Sequence, residues 1–585
     1  VVNFILKKNF QGLSLDGQMG ISQRGDSQEY SFSGIMGANF DDGRGNVTIG
    51  FSLNNREAAY RRDRQWFRDA WRDPRFTGNE FFPAQSGYQP IGSNLPSQTV
   101  LNTIFSGAPA GAVGAGSRLY FNSDGTAFTG FFQSPAAGAY RFKGDLTGLK
   151  WKRQGDGTLG QNFQDELLQL PLERYNMYAR GNYEINDWVG MFAQGTFTRV
   201  QTRTIQQPSP SVNGWSASIP VDGRAIPAEL ATILASRSDG NPATTNDATA
   251  PWQLTYYLDF MNREARTDVF TYNILAGFEG KILGTDWTWE IYGSQGESET
   301  NALITGTASL ERFRAVISAP NWGAGFKSQG NAAFGGFGAS TATCTSGLDP
   351  FNKSKPISAD CIAAISAPLS NRAVMQQTVF EGNAQGGLFD LPGGTVRAAV
   401  GASHRQNKYD FQNDTLTTQG SSFLDQTIGI YPSGSSKGKI TVNELYGELL
   451  IPVLRDMSFA KSLELSLGAR TSDYNTTGSA FTWKAMADWA VTDWFRIRGG
   501  YNKAIRAPNV AELYLAPQQT FTAAGGGDVC RLNNTLGWSA NTATNPNAAN
   551  VRAVCTILMN QSIAGTSAKF YGDPQFYNAL GPAFA

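Results

Sequence analysis

A run of arginines broken by aromatics, YRRDRQWFRDAWRDPRF, begins at Tyr60. Arg61, Arg62, Arg64 and Arg68, with Trp66 and Trp71 among them, are residue types that grip an anionic or sugar ligand. A guanidinium forks a carboxylate or phosphate through paired hydrogen bonds, and an indole face stacks on a cation or ring. The same composition also suits a solvated rim laced with ion pairs, so the segment has two readings: a ligand grip and a polar surface.

Four cysteines fall as two local pairs, Cys344 with Cys361 and Cys530 with Cys555. An even count, close spacing and an exported setting favour two structural disulfides. In the chain-entropy model each would contribute roughly 3 kcal/mol. There is no C-x-x-C and only one histidine, His404, so a zinc site has no ligand set. Glu444 and Glu448 share a strand face, a spacing expected of residues that line a solvated channel. Nucleotide, P-loop, nucleophile-elbow and zincin motifs are absent, and neither an enzyme nor a cofactor is expected.

Such residues need elements to position them, and the sequence supplies strands. LSLDGQMGIS (residues 13–22) alternates apolar and polar positions, as a half-buried strand does. YSFSGIMGANF, the turn signal DDGRG and VTIGFSLN continue an antiparallel meander. Further strands are expected near 174–185, 188–199, 266–280, 287–297, 376–389, 395–409, 440–451, 462–474, 480–490 and 494–506, about thirteen with the first three.

The 585 residues carry 48 basic and 48 acidic side chains, which argues against a nucleic-acid partner. No run approaches about 18 consecutive apolar residues, so transmembrane helices are not expected. Connections alternate between tight turns and long insertions, and every long insertion follows an odd-numbered strand. In an up-and-down meander that parity puts irregular loops at one end and turns at the other, as in outer-membrane barrels.

One strand face is apolar and the other holds Arg, Glu and Asn: Met177 against Asn176, Leu465 against Glu464, Ile497 against Arg498. A polar interior needs water and therefore a wide barrel, so the apolar face must turn outward toward lipid. Trp188, Trp287, Trp489 and Trp494 flank the tight turns, where an interfacial girdle is expected.

Two stretches resemble the TonB-dependent outer-membrane receptors. VVNFILKKNFQGL is similar to the passage from the family's plug domain into its first barrel strand. The stretch 463–514, from LELSLGARTSDYN to IRAPNVAELY, resembles the late barrel, whose hallmark is Arg506–Ala507–Pro508 followed by Glu512–Leu513–Tyr514. PLERYNMYARGNYEINDWVGMFAQGTFTR and LPGGTVRAAVGASHRQNKYDF support it.

The resemblance implies an all-β, antiparallel transmembrane barrel of about 22 strands, with long extracellular loops and short periplasmic turns. About thirteen of those strands would lie in this sequence. Residues 1–9 would end the plug, and 10–585 would be partial barrel, with strands to about 506 and an extracellular loop over 507–585. The sequence has no initiator Met and opens in a strand-like run, so a missing upstream part is expected. The resemblance further implies a Gram-negative outer membrane and its lipid. Its uptake ligand would be scarce: a ferric siderophore, cobalamin or a glycan. A TonB–ExbB–ExbD complex would act through the plug. Passive porins and secreted glycan-binding β-proteins are the competing classes.

Overall fold

The computed structural model describes residues 9–516 and 547–561, apart from 74, 77–83, 91–93, 132–137, 242–246, 329–336, 338–340 and 419–424. Thirteen strands pair antiparallel, in sequence order, into one sheet. They are β1 (Gly12–Gly20), β2 (Glu29–Phe40), β3 (Gly45–Arg56), β4 (Leu172–Asn186) and β5 (Val189–Gln206). β6 (Arg263–Lys281), β7 (Thr288–Thr305), β8 (Leu369–Leu391) and β9 (Gly394–Gln412) follow. β10 (Ser436–Met457), β11 (Ala460–Tyr474), β12 (Gly478–Ala490) and β13 (Arg496–Lys503) complete the sheet. The all-β up-and-down meander expected from alternation is the observed fold. The sheet is an open path from β1 to β13 and not a closed ring.

Several strands outrun their expected ends on the loop side: β5 continues to Gln206, β7 to Thr305, and β8 starts at Leu369. There the outward positions turn polar. Arg199 forks Asp268 at 3.1 and 2.6 Å, and Arg372 forks Glu299 at 2.8 and 2.9 Å. The backbone ladder continues, but the hydrophobic period that reveals a strand in sequence has ended. At the other terminus β13 stops at Lys503, short of the expected 506.

Tight connections lie at one end, with two residues each between β4 and β5, β8 and β9, and β10 and β11. In the β2–β3 turn Asp41, Asp42 and Gly43 have φ of 55°, 54° and 90°, a left-handed run that Asp and Gly tolerate best. The long connections, 57–171, 207–262, 306–368 and 413–435, all follow odd strands.

Outward side chains form an exposed apolar band. Leu15 is 56 % accessible, Ile274 60 %, Phe380 60 % and Leu445 61 %. In a soluble protein so large a continuous patch would be an association hazard. Below it, Trp188 and Trp494 are exposed beside their turns, and Phe40 stacks on Tyr183 at 5.9 Å. Trp287 lies over Gly386 and donates from Nε1 to the Gly387 carbonyl at 2.8 Å. Trp489 Nε1 donates to the Phe459 carbonyl at 3.0 Å.

The long connections are not irregular loops, as their sequence suggested. They fold together into a cap with its own core. Leu119 comes from the first, Leu230, Ile233 and Leu254 from the second, Phe313 and Ile317 from the third, and Ile428 from the fourth, all fully buried. A six-stranded sheet joins the first two connections. Helices Ala228–Ala235, Leu310–Ser318 and Ala359–Ile365 pack their apolar faces inward. Burying a large apolar side chain contributes about 1.5–3 kcal/mol, so this shared core favours packing of the four segments against one another.

Candidate functional site: the capped mouth and its inner wall

On the face opposite the apolar band, one register row crosses nine strands. It runs from Asn46 on β3 through Asn182, Phe192, Gly277, Tyr292, Glu381, Ser403 and Glu444 to Ser472 on β11. Glu381 accepts hydrogen bonds from Tyr292 Oη at 2.7 Å and Tyr446 Oη at 2.6 Å. Tyr446 reaches it by lying across Gly401. The Arg470 guanidinium stacks over the Tyr446 ring at 4.8 Å and sits 3.6 Å from Glu444, which also accepts from Ser472 Oγ at 2.7 Å.

Glu448 pairs with Lys484 at 3.1 Å. Both glutamates singled out from sequence are therefore committed to partners on this wall. Asn46 donates to Asn39 at 2.6 Å and to the Phe10 carbonyl at 2.8 Å, so the chain leading into β1 lies against this face. The wall is polar, hydrogen-bonded and charge-paired, which suits water rather than hydrocarbon. Glu381, Tyr292 and Tyr446 were not picked out from sequence, because their grouping depends on strand register.

Across the mouth the cap is tied loop to loop. Lys353 Nζ donates to the Ala84 carbonyl at 2.6 Å and to Asp259 at 2.7 Å, joining three connections. Arg314 donates to the Ser216 and Gly214 carbonyls at 2.9 and 2.8 Å. Arg224 donates to the Ile317 and Ser318 carbonyls and lies 4.7 Å above Trp322. Arg141 forks Glu229 at 2.8 and 2.7 Å. Burial works against the Glu229 carboxylate, yet the Arg141 fork and the Ala127 N–H hold it below the ordinary glutamate range. Cys344 and Cys361 are disulfide-bonded and fully buried, pinning the third connection. Cys530 lies outside the described residues, and Cys555 falls on the helix Ala548–Gln561.

The arginine-rich segment forms the helix Gln65–Arg72 at the cap's edge. Arg61 pairs with Glu166 at 3.0 Å, and Arg62 with Asp165. Arg64 forks Asp26 of the β1–β2 connection at 2.7 and 3.0 Å. Arg68 donates to the Arg62 carbonyl at 3.2 Å and to Gln65 at 3.1 Å. Trp71 is buried, with Lys152 Nζ 4.7 Å above its ring, whereas Trp66 is 53 % accessible. The structure thus gathers these residues on one short helix and its approach, most of them already paired.

His404 sits on the outward face, its Nδ1 2.7 Å from Asn443 Oδ1. The motif after β13 closes on itself. Arg506 pairs with Glu512, and Asn509 and Glu512 form a reciprocal capping box on the turn Val510–Leu513. Ala507 and Pro508 are half-buried between the strand and this turn, and Leu513 is partly exposed. Tyr514 packs against Gly438 and donates to the Lys439 carbonyl at 3.2 Å.

A strand meander with tight turns below, folded loops above, an apolar outer band and a polar inner wall defines a large outer-membrane-type β-barrel. The family model "TonB dependent receptor-like, beta-barrel" matches residues 229–548, more than half of the chain. The chain belongs to the TonB-dependent receptor family. Among solved structures it is similar to the siderophore receptor PirA from Acinetobacter baumannii, at 9 % identity and a TM-score of 0.35 over 86 % of this chain and 44 % of that one. It is also similar to a single-site mutant of the ferric enterobactin receptor PfeA from Pseudomonas aeruginosa, at 10 % identity and 0.40, over 87 % and 46 %. A third is the CymD monoaromatic hydrocarbon channel, at 8 % and 0.20, over 84 % and 82 %. The chain spans less than half the length of the two receptors. No curated protein matches it.

Proposed function

We propose that this chain is the first part of the barrel of an outer-membrane receptor that imports a scarce ligand into a Gram-negative cell by TonB-dependent uptake. The observation that carries the reading is the family match over 229–548. The separation of apolar and polar strand faces supports it. The ligand, a ferric siderophore, cobalamin or a glycan, meets the cap first. There the exposed Trp66 and the arginines around it, Arg61, Arg62, Arg64 and Arg68, offer stacking and forked hydrogen bonds once their present partners exchange. Trp71 supports that helix from the core. Below the cap, the inner-wall row supplies a wet, charge-paired path.

In this reading residues 1–9 end a plug that lies within the bore, and the segment leading to Phe10 on the inner wall is its exit. The TonB–ExbB–ExbD complex acts on that plug from the periplasm. Whole-cell uptake by the full-length protein tests the proposal, using a panel of ferric siderophores, cobalamin and oligosaccharides under limitation. Import of at least one should disappear when TonB is deleted. Import that persists without TonB, together with open ion conductance in planar bilayers, would point to a passive porin instead.

A further inference from the structure

Arg263 opens β6 and pairs with Gln206 at the last rung of the sheet, where the strands meet the cap. The ladder runs unbroken from there to Gly277, an even number of residues on, so Arg263 shares the inner face with the polar row. It is half-buried, and its Nε is closed to solvent with no hydrogen-bond partner. The guanidinium makes one long hydrogen bond, from Nη1 to the Gly429 carbonyl at 3.4 Å, and no carboxylate pairs with it among the described residues. The adjacent Glu264 belongs to the opposite face and serves Arg203 and Arg266.

The other arginines buried in the cap are better supplied. Arg224 forks Asp222 at 2.9 and 2.7 Å. Arg237 spends its donors on the carbonyls of Leu234, Ala248, Ala250 and Pro251. A guanidinium has five N–H donors, so Arg263 leaves most of its capacity unused.

Two hydroxyls beside it are also unmet. Gly429 of the fourth connection lies against both Arg263 and Pro210 of the second: a Cβ built on it would stand 3.2 Å from Arg263 Nη1 and 2.6 Å from Pro210 Cδ. Ser209 precedes that proline, and Thr427 lies two residues before that glycine. Both are fully buried, and neither side-chain oxygen has a partner among the described residues. Buried hydroxyls are nearly always hydrogen-bonded, and a charge drawn from water without a counter-ion is costly. Water would satisfy the hydroxyls but leave the charge uncompensated. A guanidinium and two hydroxyls, with no carboxylate among them, suit an anion and not a cation.

We infer that Arg263, with the hydroxyls of Ser209 and Thr427, binds a small free oxyanion of the phosphate or sulfate type. A guanidinium forks such an ion through paired, charge-assisted hydrogen bonds. The ion ties β6 to the second and fourth connections, so the order of the cap over this part of the mouth depends on it. The site is separate from the arginine-rich helix at the cap's edge, and it holds whichever ligand is imported.

The test uses inorganic phosphate and the full-length protein in detergent, at constant ionic strength made up with chloride. Radiolabelled phosphate should bind saturably, and Arg263→Gln should weaken that binding roughly tenfold or more, as expected when hydrogen bonds to a charged group are lost. Phosphate should slow hydrogen exchange in 207–215 and 425–431 of the wild type and leave the variant's exchange there unchanged. Thr427→Val, which keeps the shape and removes the hydroxyl, should weaken binding severalfold, and it decides the matter if Arg263→Gln does not fold. Absence of saturable binding, or equal binding by the wild type and the folded variants, would overturn the inference. So would phosphate protection of these segments that survives in Arg263→Gln.

Discussion

Tyr446 on β10 and Glu381 on β8 are joined by a 2.6 Å hydrogen bond that passes over Gly401 of the intervening strand β9. A Cβ built on Gly401 would lie 2.3 Å from Tyr446 Cζ, so the phenol lies flat on the wall only because that residue has no side chain. The relationship ties three strands together on the polar face. At this point of the face the strands are joined by a hydrogen bond rather than by apolar packing.

Gly401→Val should lift Tyr446 off the wall and separate it from Glu381. The cost should be about 1–3 kcal/mol, the range for overpacking a fitted site. Tyr446→Phe, which keeps the ring and removes only the donor, should cost about 1 kcal/mol. Urea unfolding of the reconstituted barrel, followed by tryptophan fluorescence, separates the two.

The cap should behave as one cooperative unit. Phe313 is fully buried among residues from the other connections, and Phe313→Ala should destabilise the cap by about 3–5 kcal/mol. Hydrogen exchange should then quicken together in 84–131, 207–262, 306–328 and 425–435, while amides of β6–β9 keep their protection. Faster exchange confined to the third connection would mean that the segments fold independently.

Acid should loosen the tie between the cap's arginine-rich helix and the β1–β2 connection. The Arg64 hydrogen bonds, with help from Ser22, hold the Asp26 carboxyl below its ordinary value. A depressed carboxyl stabilises the folded form above the unfolded-state value, about 3.9, and that stabilisation is lost as pH falls through the folded value. Exchange in 22–28 and 60–72 should therefore rise below about pH 4. Arg64→Gln should show the faster exchange already at pH 6.

Placement of the apolar face can be probed by charge. Leu15→Arg and Phe51→Arg should each cost roughly 2–4 kcal/mol in bilayer-refolding measurements if those side chains lie near the membrane midplane. Ser14→Arg, on the opposite face of the same strand, should be tolerated. Equal costs at 14 and 15 would reject the assignment of faces.

The strands were legible because each carries its own signal. Leu463, Leu465 and Leu467 alternate with Glu464 and Ser466, and no distant residue is needed to see it. The signal fades where Arg199 and Glu299 take over the outward positions, which is why β5 and β7 looked shorter than they are. The cap was not legible. Leu119, Ile233, Phe313 and Ile428 meet in one core but come from four connections, none with a continuous period of its own.

The candidate site divides in the same way. Residue types marked out the arginine-rich helix, but Asp26, the partner of Arg64, lies 38 residues away in another connection. The Glu381 grouping exists only once strand register is known. Arg506 and Glu512 are close in sequence, and their pairing needs only the short turn capped by Asn509.

The most direct test concerns adjacent residues, Phe380 and Glu381, which the structure places on opposite faces of β8. A nitroxide introduced at each position of the bilayer-reconstituted full-length protein reports collision with oxygen, which partitions into lipid, and with a nickel chelate, which stays in water. Position 380 should be relaxed mainly by oxygen and position 381 mainly by nickel. The reverse pattern, or the same pattern at both positions, would contradict a barrel with hydrocarbon outside and water within.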